Sequence, residues 1–560
     1  MFFVVPFSQH PMESASSPIT EPQQVIVFDT TLRDGDQAGV LFDEDQKVVI
    51  AHSLEDIGVD VIEAGNAFSG TFDQRSIARI AQEVRRPVIC SLAICKRESV
   101  EASAKALERA EHPRIHIYRA SSREHLDKVF HGMGEEQYLD DIAAHIELAR
   151  RYVPDVEYSA EDATNTPREF LARIGIRAAE AGATTFNIPD TYGQALPTEM
   201  EELMAYLSQN IPAIREHRMR QSTHNHDDHG LATANTLYAL KGMGDALKQA
   251  ELTVNGLGER AGNASLAETV MTARYRKDRF PMVNFDHIRA EMLVRLSRIV
   301  SALSRVSVPR NTPFVGTGIN ALGTGTHVAA QDRIGIRNGA YRDNVPQDVG
   351  FDDFNIEFGA TSGKGVADVY ARQLGYHIPE TDLVPFTAFA KAFAETKRGT
   401  ECRIVTPDEY RSLLFQYFGV GVPIESTGGT QFLRAAKNGQ WEVHLTVSGR
   451  NGEQTLTGHS EEKQGVLQAV TAILREQSGL DFQLIDQWEE SDQTQGERSG
   501  SVTGVTIRIG KMECQGTAQG TDVTETTVRA LFDAVNKAKL ASLLTEQQSA
   551  TSVGAPGRVK

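Results

Sequence analysis

From about residue 25 to 262, short runs of β-branched and apolar residues recur at intervals of roughly 27 to 41 residues, each followed by a stretch of helical spacing. The runs are Val25–Asp29, Val59–Glu63, Pro87–Ile94, Arg114–Arg119, Asp155–Ser159, Thr184–Ile188, Gln221–His226 and Leu252–Asn255. Helix-start chemistry lies between them. Asp43-Glu44-Asp45-Gln46 is a capping-box pattern ahead of Val48, Val49, Leu54 and Ile57, and Thr166-Pro167 opens a helix that stops near Gly182. Eight strand-helix units in about 240 residues predict one (β/α)8 barrel over residues 24–280, an α/β fold. The alternative, an open doubly wound sheet, lacks a G-x-G-x-x-G after the first strand.

Beyond Gly262 the periodicity changes. Ile288, Met292, Leu296, Ile299 and Leu303 predict a long helix over 285–305 that leaves the barrel, followed by a Gly/Thr-rich stretch from Thr312 to Thr326. Small helices such as Phe386–Phe393 and Tyr410–Phe418 complete helical linker subdomains over 281–425. From 426 to 546 alternating strands and a helix occur twice, through Trp441–Val447 with 465–475 and through Val505–Ile509 with 524–538, which predicts a C-terminal α+β regulatory domain of two βββα-like halves. The polar run 487–501 predicts a loop, and 1–23 and 547–560 a disordered arm and tail.

Composition narrows the function. The 560 residues are 40% apolar, enough for real cores in several domains, and the net charge of −18 argues against nucleic acid, whose phosphates call for clustered Lys and Arg. Cys90, Cys95, Cys402 and Cys514 have neither C-x-x-C spacing nor the density of a disulfide framework, which fits a reducing cytoplasm. No run of eighteen apolar residues suggests a membrane span.

Barrel sites of this kind form at the C-terminal ends of the strands, and polar groups collect there. Asp29-Thr30-Thr31-Leu32-Arg33-Asp34-Gly35-Asp36-Gln37 closes the first strand, and His224-Asn225-His226-Asp227-Asp228 the seventh. Residues two apart on a strand share a face, so the imidazoles of His224 and His226 point inward together. With the Asp34 carboxylate they leave open positions on a divalent cation, as Lewis-acid catalysis requires. Taken alone, H-x-H also describes two hydrogen-bonded residues at a strand end.

The first-strand motif, the H-x-H and Asn255-Gly256-Leu257-Gly258-Glu259-Arg260-Ala261-Gly262-Asn263-Ala264-Ser265 together resemble the three signatures of the acyl-CoA-condensing barrel enzymes, the 2-isopropylmalate, homocitrate and citramalate synthases with their lyase relatives. The resemblance runs over about 24–370 and more faintly to 546. It implies Asp34, His224, His226 and Asn263 as ligands of a Mg, Mn or Zn ion, and Arg33 as the stabiliser of enolate and carbonyl charge. It implies Glu161 in proton transfer, with Glu63 and Glu259 as candidate orienting carboxylates. His116, Ser159, Asn187, Thr191 and Leu92 match oxo-acid pocket positions, while His327 and Tyr341 match residues that reach into the barrel of a second subunit, hence a homodimer.

The implied reaction condenses acetyl-CoA with an α-oxo acid and hydrolyses the thioester. Asp34 after Arg33 and the pocket positions point to 2-oxoisovalerate first and pyruvate second, and the C-terminal unit to leucine as an effector. Two departures stand out. Asp227 replaces the family's Asn, placing a further negative charge beside the expected cation, and Gly458-His459-Ser460-Glu461 replaces a glycine-repeated turn. A degenerate barrel that only binds an amino acid has no need of Arg33, Glu161 and an open cation site together, and the lyase relatives lack a double-repeat unit.

Overall fold

The computed structural model describes residues 24–322, 345–351, 355–397, 404–418, 425–434, 441–449, 452–459, 466–492, 500–520 and 523–553. These fall into two compact units, the first ending at Ile319 and regaining 345–351, the second holding the rest. His327 and Tyr341 lie outside the described residues.

In the first unit, β1 (Ile26–Asp29), β2 (Val61–Glu63), β3 (Val88–Ile94), β4 (Pro113–Ala120), β5 (Asp155–Glu161), β6 (Thr185–Asp190), β7 (Arg220–Asn225) and β8 (Lys248–Leu252) pair in sequence order and in parallel. β8 closes onto β1, so no sheet edge remains. Eight helices alternate with them: α1 (Glu44–Ile57), α2 (Thr71–Glu83), α3 (Arg97–Ala106), α4 (Glu135–Arg150), α5 (Arg168–Glu180), α6 (Pro197–Asn210), α7 (Ala232–Gly242) and α8 (Leu266–Tyr275). The start of α1 is fixed by its capping box: Asp43 accepts from the Gln46 amide at 2.8 Å, and the Gln46 side chain accepts from the Asp43 amide at 3.0 Å.

Alternate strand residues face the helices or the lumen. Val27, Ile62, Ile89, Ile115 and Ile188 join the apolar layer against the helices. Inside, Phe28, Val61 and Cys90 form a small plug, and beside them runs a polar network. Arg114 donates to Asp155, Glu157 and Gln249 at 2.7 to 2.9 Å, and Gln249 donates to Glu157 and Ser222. A buried guanidinium is tolerable only when its donors are taken in this way.

This polar lumen displaces one predicted strand. The eighth is Lys248–Leu252, not Leu252–Asn255, and Val254–Gly256 is a 3-10 turn. Gln249 and Glu251 face a charged interior, so β8 offers only Ala250 and Leu252 as apolar residues, too short a pattern to be read as a strand. The helix expected over 285–305 is shorter, Leu293–Ser304, and does not leave the barrel: Leu293, Val294, Leu296 and Val300 are part of the barrel core.

The second unit contains helices Lys364–Gln373, Glu380–Thr396 and Pro407–Tyr417 around Phe358, Tyr370, Phe386 and Tyr410, and two three-stranded antiparallel sheets, each followed by a helix. The polar run 487–501 is not wholly a loop. The strand Gln483–Asp492 takes in its first residues, where Trp488 pairs with Gly504 on the next strand and its indole occupies the space of a Cβ. The last helix runs from Val523 to Val553, past the expected start of the tail. Val528, Leu531 and Val535 of that helix belong to the core under the sheets, while Leu540 belongs to the core of the three-helix group.

Gly175 on α5 sits against the side chains of Ile211 and Phe186, closer than a Cβ could approach. Gly175→Val is expected to destabilise the barrel by about 1–3 kcal/mol through overpacking, measured as a lower urea midpoint; an unchanged midpoint refutes this packing.

Candidate active site

The loop after β1 is bound on every side before it presents any chemistry. Asp29 accepts from the Thr31 amide at 2.9 Å, and the Thr31 hydroxyl accepts from the Val254 amide at 2.8 Å. The buried Lys47 ammonium donates to the Leu32 carbonyl at 3.2 Å and pairs with Asp36 at 2.8 Å. Arg33 and Asp34 are thereby held at the mouth of the barrel.

There Arg33 bridges two carboxylates. Its Nη1 donates to Asp34 Oδ2 and its Nε to Glu63 Oε2, both at 2.6 Å. Burial pushes both acids up, but the guanidinium outweighs it: Asp34 is held well below the usual carboxylate range and Glu63 is lowered to about 2. Asp34 Oδ1 accepts from Asn263 Nδ2 at 3.0 Å and from the Glu259 amide at 3.1 Å. Gly258 makes this approach possible, since a Cβ there would collide with the Asn263 amide and with Asp34.

Across the mouth, Nε2 of His224 and Nε2 of His226 approach to 3.3 Å, with Asp34 Oδ2 3.7 Å from His224. Asp34, His224 and His226 form one of the groups among the described residues that could hold a metal ion. Their chemistry fits one. Burial lowers the pKa of both imidazoles to about 4, with His224 lowering that of His226 further, so their lone pairs are free at neutral pH. The buried Asn263 Oδ1 has no hydrogen-bond partner, although its amide nitrogen has two. Three converging donors and an orphaned carbonyl oxygen are what a divalent cation takes up.

A second set continues from Glu63. Its other oxygen accepts from His116 Nδ1 at 2.8 Å, and His116 Nε2 lies 2.6 Å from Ser159 Oγ, which also accepts from Asn187 Nδ2 at 2.8 Å. Burial lowers the His116 pKa, but the Glu63 charge overcomes it and the net shift is upward. Ser159 Oγ thus joins His116 to Asn187 in one buried chain that starts at Glu63. His116 lies within β4.

A cavity of about 190 Å³ opens between the two sets, and Arg33, Leu92, Ser159, Asn187, Thr191 and Glu161 are on its wall. Glu161 ends β5, and burial raises its pKa. The Thr191 hydroxyl accepts from the Asp162 amide at 2.9 Å, and the Thr191 carbonyl accepts from Arg260, which also grips Asp228 through two nitrogens. The sequence reading missed Glu251, Tyr118 and Arg260, all on the same wall. Period two from His116 signals Tyr118, whereas Glu251 was hidden by the misplaced eighth strand.

The concern over Asp227 is resolved by where its carboxylate points. It accepts from the Ala232 amide at 2.8 Å, at the start of α7, and belongs to none of the groups that could hold a metal among the described residues. Its negative charge serves a helix N-terminus.

A cation-ready triad at the mouth of a closed parallel (β/α)8 barrel defines a class of metal-site barrel enzymes, and residues 24–300 match the HMGL-like family. The chain is similar to the 2-isopropylmalate synthase of Aquifex aeolicus (strain VF5), at 34% identity over 92% of this chain and 96% of that one. It is also similar to that of Methylacidiphilum infernorum (isolate V4), at 35% identity over 92% and 99%. A solved hydroxymethylglutaryl-CoA lyase from Pseudomonas aeruginosa is similar at TM-score 0.42 and 18% identity, over 51% of this chain and 94% of that one. The chain belongs to the 2-isopropylmalate synthase family.

Two outcomes are expected. Asp227→Asn keeps an acceptor for the Ala232 amide and should leave affinity for a divalent cation within about twofold of wild type, a change of less than 0.5 kcal/mol; a larger shift by calorimetric titration refutes the capping role. In the metal-free protein, His224 and His226 should stay neutral as pH falls through 6.5, the ordinary imidazole value, and gain protons only near pH 4. Imidazole resonances titrating near 6.5 would contradict that.

Proposed function

We propose that the chain condenses acetyl-CoA with 2-oxoisovalerate in a Claisen-type reaction and hydrolyses the resulting thioester, giving 2-isopropylmalate and CoA. The observation that carries this reading is the convergence of Asp34, His224 and His226 beside the Arg33 guanidinium at one cavity. Asp34, His224 and His226, with Asn263 beside them, would hold a divalent cation, Mg, Mn or Zn, which supplies Lewis-acid polarisation of the oxo acid's carbonyl.

The side chains supply the rest. Arg33 has two N–H groups fixed by Glu63 and Asp34, and its remaining donors serve the oxygen that gains charge as carbon attacks carbon. Ser159, with His116, Asn187 and Thr191, orients the oxo acid. Leu92 and Pro189 give the otherwise polar wall an apolar patch for an isopropyl group. Glu161, whose pKa burial raises, takes the proton from the acetyl methyl group. Water then cleaves the thioester.

His327 and Tyr341 assist proton transfer from the second subunit of a homodimer. The paired sheets of the C-terminal region bind leucine as an inhibitor, and the enzyme works in the cytoplasm.

Acetyl-CoA with 2-oxoisovalerate should release free thiol at a rate at least about tenfold above that with pyruvate, and a chelator should abolish the release. Leucine at millimolar concentration should slow it. No thiol from 2-oxoisovalerate, pyruvate or 2-oxoglutarate rejects the synthase reading, and a leucine-independent rate rejects the effector alone.

A further inference from the structure

We infer that Glu251 is a positioning residue that fixes the orientation and tautomer of His224 for cation binding. This rests on the cation site proposed above and deepens it. The parallel register sets Glu251 of β8 directly beside His224 of β7. Paired residues of parallel strands face the same side, so both side chains enter the lumen. Glu251 Oε2 lies 3.1 Å from His224 Nδ1. Both groups are buried, and no amide, hydroxyl or guanidinium donates to either Glu251 oxygen. His224 Nδ1 likewise has no hydrogen-bond partner, so at 3.1 Å these two buried groups are left facing each other.

A neutral imidazole carries its proton on one nitrogen, and what faces each nitrogen decides which. A carboxylate at Nδ1 holds the proton there, leaving the Nε2 lone pair toward Asp34 and His226. The opposite tautomer would point an N–H into the cation position and leave two lone pairs facing across 3.1 Å. His226 has no such partner behind its Nδ1. One carboxylate therefore orients one imidazole of the pair, and the first strand contributes Asp34 independently.

Glu251, Glu157 and His116 offer ligand atoms within 4.8 Å of one another, and Glu157 is fixed by Arg114 and Gln249. Glu251 thus stands between the imidazole of the cation side and the imidazole of the oxo-acid side.

The test is Mn²⁺ binding by the full-length protein, followed by the spectroscopic signal of free Mn²⁺, with kcat and KM measured alongside. Glu251→Ala should weaken Mn²⁺ affinity about 10- to 100-fold, and activity should return as Mn²⁺ is raised to saturation. Glu251→Gln, which keeps an oxygen for the Nδ1 proton, should restore most of the affinity. A merely structural role would lower the melting temperature without moving Mn²⁺ affinity. Wild-type affinity in a folded Glu251→Ala protein overturns the inference while leaving the cation site intact. Absence of Mn²⁺ binding by wild type removes both. Should Glu251→Ala not fold, the metal-free wild type decides through the histidine ring nitrogen resonances: Nδ1-protonated His224 supports the inference, and Nε2-protonated His224 overturns it.

Discussion

The Arg33 guanidinium, wedged between Asp34 and Glu63, is the contact on which the rest of the site depends. Two carboxylates out of water cost several kcal/mol each when unpaired, and this barrel buries both within reach of one cation. With Arg33 between them both remain charged, and each passes its charge to a different imidazole. Asp34 faces His224 and His226, and Glu63 faces His116. Removing the guanidinium would leave two uncompensated anions at the barrel mouth, and proton uptake by either would disconnect one half of the site.

The same residue type is driven in opposite directions on the two sides. His116 is raised because Glu63 stands against its ring, whereas burial keeps His224 and His226 neutral. A protonated imidazole donates from both nitrogens and cannot ligate a metal; a neutral one offers a lone pair. The site therefore sets an imidazole held against a carboxylate on one side of the cavity and two neutral imidazoles on the other. Neither assignment follows from the histidines themselves.

This explains what was legible in the sequence. Arg33-Asp34 and His224-x-His226 are local signals, and their joint placement follows from strand periodicity and the closure of the barrel. Helix starts such as Asp43-Glu44-Asp45-Gln46 are local too. The Glu251 to His224 contact is set by the register of β7 against β8, and the Glu63 to His116 contact passes between β2 and β4, which do not pair; no local spacing reveals either. β8 was displaced because apolar alternation is a proxy for burial, and Gln249 and Glu251 are buried against charge. Gln483–Asp492 misled for the related reason that its polar residues pair across a sheet and Trp488 rests on a glycine.

Asp227 shows how far composition at a site falls short of its electrostatics. It stands one residue from His226, next in sequence to the triad. Strand geometry turns successive side chains to opposite faces, and the chain bends after β7, so the carboxylate meets the first amide of α7. A helix N-terminus and a divalent cation both attract an anion, and the backbone allows this one to reach only the former. The acid that stands against the two imidazoles is therefore Asp34, brought from the first strand by closure of the barrel, and not the nearest acid in sequence.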